Sequence, residues 1–477
     1  MATDPTSASR EQWLARVRAV LKDAPFERLA SRTVEDLLIQ PLYGPGDGAA
    51  ARAGPQHRRR PAEDAMAWDV RVPVAHPDPA RANDQVLESL AGGASSVLLS
   101  VHSGAAAGLG RALDGVMLEA ATVALDAGFG GPEAAQGLSD LAKGSPSARL
   151  AFHLDPLSAF ARSGASPGPI EGHIAAVARA GARLAKPHPA ASLVLASGRT
   201  AHEAGGSAAQ ELGLMAASAL AYAKALTAAG LPPGQAFAGI VLGLSADGEY
   251  LQTLAKLRAA RDIWARMTRA CRLQLPACIE VRSSRRMLSG FDSWTNLLRL
   301  TAAGFGAAAG GADAIVLDAF TDAIGPPGAQ ARRLARNLQL VLMEESHIGR
   351  VEDPAAGAWF IESMTRELAR QGWRQFQAIE AQGGVVQALV SGAFATEVRA
   401  VHQARETAVA EGALPILGVT LFLDPEARPV EVDDEGRIAP GVGVNGPRLN
   451  GPDSRCPPLE PMRLAEAAEL VMADLEP

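Results

Sequence analysis

Nine histidines and three cysteines are the residues of this 477-residue chain that could hold a metal or act as bases and nucleophiles, and their spacing is uninformative for most such chemistry. No HExxH pair and no clustered Cys/His set occurs, so neither a zinc-hydrolase nor a zinc-finger reading is supported. Cys271, Cys278 and Cys456 show no paired framework, as expected for a reducing compartment. Gly304-Phe305-Gly306 followed by Gly310 misses the G-x-G-x-x-G spacing and lies within a helical pattern, where small residues serve helix packing; a Walker-type Gly-Lys loop is absent. Arg58-Arg59-Arg60, between Pro55 and Pro61, reads as a solvated loop. His202, just before Glu203-Ala204-Gly205, reads as a polar histidine near a strand end.

A formal net charge of −7 offers no electrostatic footprint for nucleic acid or an anionic membrane. No stretch reaches the roughly 18 apolar residues of a membrane span. Asp4, Glu11, Asp23 and Glu27 in the first thirty residues fit neither a secretory signal nor an acid-poor transit peptide, so a soluble cytoplasmic protein is expected. The hydrophobic fraction is 48% with only 4% aromatics, which implies a large core of small aliphatic side chains.

The elements that must position any site alternate. Short β-prone runs at Trp68–Val74, Ser96–Val101, Thr122–Asp126, Arg149–Leu154, Ser192–Ala196, Ala238–Leu244, Ala277–Arg282 and Ala314–Asp318 are separated by alanine-rich helical stretches. This βαβα order implies a parallel sheet, and eight units in sequence predict a closed (β/α)8 barrel. Before it, Trp13, Val17, Leu21, Val34, Leu37 and Leu38 mark short helical patterns that a Pro/Gly run from Pro41 to Pro61 keeps from the compact core. From Gly328 to Gly384, apolar spacing predicts a helix stopped by Gly349, an ordered loop through Asp353-Pro354, and a second helix ended by Gly383-Gly384.

That last stretch, with RLARNLQ from Arg333, Glu344-Glu345-Ser346, RVEDPAAGAWF from Arg350 and QFQAIEAQGG from Gln375, resembles the barrel end of adenosylcobalamin-dependent acyl-CoA mutases, the methylmalonyl-CoA mutase family. The resemblance extends from about residue 35 to the C-terminus. It implies chemistry in which cobalt–carbon homolysis generates a radical that the barrel shields while the thioester migrates. Catalytic members need a lower-axial histidine for cobalt, a tyrosine over the substrate and a histidine donating to the thioester carbonyl.

Matched to the family's text, these requirements are missing here. Trp68 and Arg71 set on W-T-I-R-Q-Y-A-G place Pro73 at the tyrosine position. Glu203-Ala204-Gly205 places Thr200 at the carbonyl-binding histidine, with His202 the candidate if the register slips. In CIEVRSSR from Cys278, Glu280 stands for the family histidine and Arg282 for the glutamine. In the next strand Val316 and Asp318 stand among positions that are polar in catalytic members. Ala314, Val316 and Asp318 share a face that, pointing inward, would narrow a substrate channel. The D-x-H-x-x-G text of a flavodoxin-like cobalamin domain does not follow PLEPMRLAE.

Asp155-Pro156-Leu157, His76-Pro77-Asp78-Pro79 and Leu125-Asp126-Ala127-Gly128 are similar to the text of the small, non-catalytic subunit of heterodimeric bacterial members. The resemblance therefore implies a partner-binding arm at 1–61, a barrel at 62–390 and a C-terminal extension at 391–477. It also implies a catalytic large subunit as partner, which holds the acyl-CoA and the adenosylcobalamin, with no cofactor, metal or catalytic residue in this chain. The alternatives are a catalytic barrel that takes cobalamin from a separate chain, and a structural or CoA-binding protein outside the mutase complex.

Overall fold

A computed structural model of the chain describes residues 8–22, 24–33, 37–44, 47, 66–101, 108–424, 428–436 and 446–473. Arg58-Arg59-Arg60, Val34 and the Pro/Gly stretch from Gly48 to Pro61 lie outside the described residues. Helix α1 (Arg10–Leu21) opens with a capping box between Ser9 and Gln12, and none of its residues is buried. A two-residue antiparallel pair, Ser31–Arg32 with Leu38–Ile39, follows.

Eight parallel strands close a barrel: β1 (Asp69–Val74), β2 (Ser96–Ser100), β3 (Thr122–Asp126), β4 (Leu150–Leu154), β5 (Ser192–Ser197), β6 (Ile240–Ala246), β7 (Ile279–Ser283) and β8 (Ala314–Val316). Closure is made by β8, which pairs with both β7 and β1. The surrounding helices are α2 (Pro79–Ala91), α3 (Gly131–Leu141), α4 (Ile170–Leu184), α5 (Ala208–Ala228), α6 (Tyr250–Ala270), α7 (Asn296–Ala309) and α8 (Ala329–Leu340). After them come α9 (Trp359–Ala381), α10 (Ala393–Ala410) and α11 (Glu466–Ala473).

Each expected strand run overlaps an observed strand, with shifts of one or two residues at the ends. The run expected from Ala238 starts at Ile240, because Pro233 occupies the first turn of a short helix, Pro233–Ala238, that Gly239 caps. His76-Pro77-Asp78-Pro79 proves to be a helix start: Asp78 Oδ1 accepts from Ala80 N at 2.9 Å and Pro79 begins α2.

The pleat sorts residues to two cores. Outward side chains such as Val70, Val97, Val123, Phe152, Leu242, Val281 and Ile315 pack against the helices, while Leu98, Ala124, Ala151 and Val316 form a separate buried cluster inside the barrel. Around the outside, α5 and α9 approach closely. A Cβ on Gly213 would lie 2.5 Å from Gln375 Cβ, and one on Gly372 would lie 2.7 Å from Leu212 Cβ.

The expected helix, loop and helix are present, with one difference: α8 passes at Val341–Glu345 into a π-helical turn instead of continuing regularly to its glycine stop. Gly349 then adopts φ +99° against Ala67, where a Cβ would stand 2.2 Å from the Ala67 Cβ. The segment Leu37–Tyr43 also differs from expectation. Leu37 is buried in the main core, and the Tyr43 ring lies 5.1 Å from Phe360 at the start of α9. Apolar burial outweighs the flanking prolines there.

Residues 446–464 run along the loops at the C-terminal ends of the strands. Leu449 N donates to Pro167 O at 3.0 Å, Cys456 N to Gly164 O at 2.9 Å, Met462 N to Glu203 O at 2.8 Å and Leu464 N to Arg286 O at 2.9 Å. This clasp ties the β4, β5 and β7 loops to one another.

Candidate functional site

Two networks of buried charge occupy the barrel where a barrel enzyme would place its active site. The first lies on the inner wall. Arg71, inward on β1, reaches over β8 to Glu280 on β7, with Nη1 2.5 Å from Oε2, and its Nε donates to Ser96 Oγ at 2.7 Å. Glu280 Oε1 also accepts from Arg282 Nε at 3.1 Å, and Arg282 Nη1 donates to Asp126 Oδ2 on β3 at 2.9 Å. Small inward neighbours on β8, Ala314 and Val316, leave the room Arg71 needs to pass.

His153 completes this network. It has φ 44° on β4, at an irregularity in the β4–β5 register between Ala151 and Leu154, and its Nδ1 is 3.6 Å from Glu280 Oε2. Burial pushes its pKa down to about 4, with Arg71 and Arg282 adding to the shift, so the ring is neutral at pH 7. Burial pushes Glu280 upward, but nearby positive charge outweighs it and holds the carboxylate well below its ordinary range. Since His153 is neutral at pH 7, Arg71 and Arg282 supply that charge. Asp126 is held at about 2, against the effect of burial, chiefly by Arg282.

The second network stands just beyond the ends of β5 to β7. His202, in a short helix Arg199–Glu203, contacts Ser284 Oγ through Nε2 at 2.9 Å and Glu211 Oε2 on α5 through Nδ1 at 3.2 Å. A hydrogen on Nδ1 satisfies both. Lys256 Nζ on α6 donates to Glu211 Oε2 at 2.5 Å, Ser245 N donates to Glu211 Oε1 at 2.6 Å, and Arg286 Nη2 donates to Asp247 Oδ2 at 3.0 Å.

A serine, a histidine and a glutamate in line have the order of an acyl-transfer triad. Burial decides against that use: Ser284 and Glu211 have no exposed surface, and Lys256 and His202 retain 2% each, so no substrate reaches the hydroxyl. Lys256 further ties Glu211 into a structural ion pair. Burial lowers the His202 pKa to about 4. The cluster fastens three loops of the barrel together.

The remaining sequence-derived positions fall nearby without joining one another. Pro73 faces inward near the end of β1, in register with Leu98, and offers no hydroxyl. Thr200 is buried, and its Oγ1 has no hydrogen-bond partner among the described residues. Asp318, two residues beyond β8, accepts from Ser283 Oγ at 3.0 Å. The structure brings Glu280 and Arg282 together, puts Val316 beside them, and leaves His202 in the second network.

Sequence reasoning missed Arg71 as a member of the site, and with it His153, Asp126, Glu211, Lys256 and Ser284. One signal was available for part of this set. Arg71 and the Glu280/Arg282 pair alternate with valine and isoleucine, which puts charge on the inner face of a strand.

Among the described residues, no group of three or more His, Cys, Asp or Glu is arranged to hold a metal ion. His173 is engaged with Pro167 O, His188 with Ser139 Oγ and His402 with Ala204 O. His153 and His202, inside the barrel and at its mouth, are 4% and 2% exposed, so neither is open to a lower-axial role at cobalt. No described helix is long and apolar enough to cross a membrane.

Comparison with known proteins agrees with the fold. The family described as Methylmalonyl-CoA mutase matches residues 105–438. The methylmalonyl-CoA mutase small subunit of Streptomyces virginiae is 38% identical over 466 residues, which covers 92% of this chain and 74% of that protein. The corresponding small subunit of Propionibacterium freudenreichii subsp. shermanii is 32% identical over 467 residues, covering 90% and 71%. The probable small subunit of Mycobacterium bovis is 38% identical over 397 residues, covering 78% of this chain and 63% of its own length. The chain thus spans 63% to 74% of these relatives. With an eight-stranded parallel barrel and matches of this extent, the chain belongs to the methylmalonyl-CoA mutase family.

Proposed function

We propose that this chain is the small, non-catalytic subunit of an adenosylcobalamin-dependent methylmalonyl-CoA mutase, an isomerase interconverting methylmalonyl-CoA and succinyl-CoA. In this reading a large subunit holds the acyl-CoA and the cobalamin, and the present barrel supports it. The observation that carries the proposal is the occupied barrel axis. A catalytic barrel must admit a thioester along its axis, whereas here Leu98, Ala124, Ala151 and Val316 meet inside it, beside Arg71, Glu280 and His153, each no more than 5% exposed. Pro73 and Thr200, at the positions matched to the family's tyrosine and histidine, support the same reading, as do the small-subunit names of the relatives. A catalytic barrel borrowing cobalamin from a separate chain would need an axis free of the Arg71–Glu280 pair.

Within this proposal residues 1–61 form the partner-binding arm, 62–390 the barrel and 391–477 the extension, in a cytoplasmic heterodimer. The test is spectroscopic titration of the purified chain with adenosylcobalamin, calorimetry with CoA, and a coupled mutase assay. Neither ligand should bind and no turnover should occur without a large subunit. Turnover by the lone chain would overturn the proposal.

A further inference from the structure

On the outer face of α7, Leu298 is 67% exposed and Phe305, two turns on, is 37% exposed, with Thr301 between them. The ring of Tyr250, at the start of α6, lies 5.4 Å from that of Phe305 and extends the same surface. Alongside the first turns of α7 runs the segment 412–424. Arg299 Nη2 donates to Leu417 O at 2.6 Å, Trp294 Nε1 donates to Arg428 O at 3.0 Å, and Leu417 forms a bridge with Leu421. Leu417, Leu421 and Leu423 are about half exposed, and Phe422 is 84% exposed.

This surface is held in place from beneath. Ile416 and Val419 turn inward to join Val409 and Ala465 in a small satellite core, against which Phe291, Leu414 and Met472 pack. Phe422 sits at φ 52°, a backbone region that side-chain-bearing residues seldom enter, and projects outward. No charged residue occurs from Gly412 to Leu423. The one charge on α7, Arg299, is occupied by Leu417 O and Asn296 Oδ1.

We infer that this strip, Tyr250, Leu298, Phe305, Leu417, Phe422 and their neighbours, is the surface on which the homologous large subunit docks; the inference rests on the small-subunit reading above. The cations beside the strip are engaged within the chain, Arg299 with Leu417 O and Asn296 Oδ1 and Arg428 over the Trp294 ring at 4.7 Å, so the strip presents chiefly apolar surface and an apolar protein face is the fitting occupant. Its area points the same way. At 150–250 Å² for a large side chain, the exposed fractions together leave roughly 600 Å² of apolar surface. That is at the upper end of what monomers expose, about 300–600 Å², and most of the ~800 Å² that each partner contributes to a stable interface. Its Tyr250, Leu298 and Phe305 lie on the barrel helices α6 and α7, elements that a homologous barrel also has. Two related barrels can therefore set like face against like about a pseudo-twofold axis.

The test is co-expression with a catalytic large subunit of the family, using wild type, Leu298→Asp and Phe422→Asp. Light scattering after gel filtration gives the assembly state, and thermal unfolding of each lone chain checks folding. Wild type should pair, and both variants should melt as wild type does yet lose at least tenfold in pairing affinity. If wild type itself fails to pair, the small-subunit reading falls. If wild type and both variants pair equally, that reading stands and the docking surface is overturned. A lone wild-type dimer split by Phe422→Asp, or binding of the lone chain to phosphatidylcholine vesicles, would assign the strip to a second copy or to lipid and likewise overturn the inference.

Discussion

Arg71 on β1 and Glu280 on β7 pair across the intervening strand β8, inside the barrel, with 4% and 1% of their surfaces exposed. Burying two charges is costly, and removing one partner leaves the other desolvated and uncompensated, which typically costs about 3–5 kcal/mol. Glu280→Gln should therefore be among the most destabilising single changes in the barrel, because it leaves Arg71 to its longer, 3.4 Å pairing with Asp69 Oδ2 and deprives Arg282 of one of its two carboxylates. Arg71→Met should cost less, since Arg282 still neutralises Glu280. Urea unfolding of the two variants checks the order, and equal losses would show that Arg282 does not share the charge.

His153 gives the barrel a pH dependence with a definite sign. In the unfolded chain its imidazole takes a proton near pH 6.5, whereas in the fold it does so only near 4. Between those values the unfolded state binds more protons, so stability falls as pH falls. From pH 7 to pH 5 the contribution of His153 amounts to a loss of about 2 kcal/mol. Burial raises the Asp155 pKa to about 6 and the Asp322 pKa to about 7, and these groups act in the opposite direction, so total stability does not isolate the effect. The difference between wild type and His153→Gln does. The variant's stability relative to wild type should improve by about 2 kcal/mol between pH 7 and pH 5, measured by urea midpoints at each pH.

The barrel was legible because β-prone runs bounded by glycine and proline repeat with helical stretches between them. Alternation put Ala314 and Val316 on one face, and the structure turns that face inward. The charged interior was not legible, because Arg71 and Glu280 are 209 residues apart and each is of a type that usually faces solvent. Glu211 and Lys256 were hidden for a related reason: each sits in a helix buried on most of its faces, so no polar stripe marks it as surface or core. Leu37 is not legible as a core residue, because the prolines beyond it break the local pattern while its burial against the barrel depends on contacts between residues far apart in sequence.

The crossing of α5 and α9 predicts a further sensitivity. Gly213 and Gly372 allow the two helices to meet almost backbone to backbone. A larger side chain forces them apart. Gly372→Leu should cost at least the 1–3 kcal/mol typical of overpacking, and more than Gly372→Ala. Gly412→Ala, where no atom of the described residues lies within 4 Å of the added Cβ but φ is +73°, should cost only a backbone penalty of about 1 kcal/mol. Thermal unfolding of the three variants checks the ranking.

The last prediction separates two parts of the N-terminal region. Helix α1 has no buried residue, its Val20 is 80% exposed, and its Trp13 meets Phe26 with ring centroids 6.0 Å apart within the same segment. A 12-residue helix with so little packing is marginal in water. By contrast, Leu37 is buried in the barrel's own core, and Tyr43 packs on Phe360. Hydrogen exchange on the lone chain should therefore be fast in residues 10–21 and slow at Leu37 and Leu38. In a complex with a catalytic large subunit, α1 should become protected while Leu37 and Leu38 change little. Protection of α1 in the lone chain would show that it folds without a partner, and unchanged fast exchange in the complex would remove the arm from the interface and leave the α7 strip to account for pairing by itself.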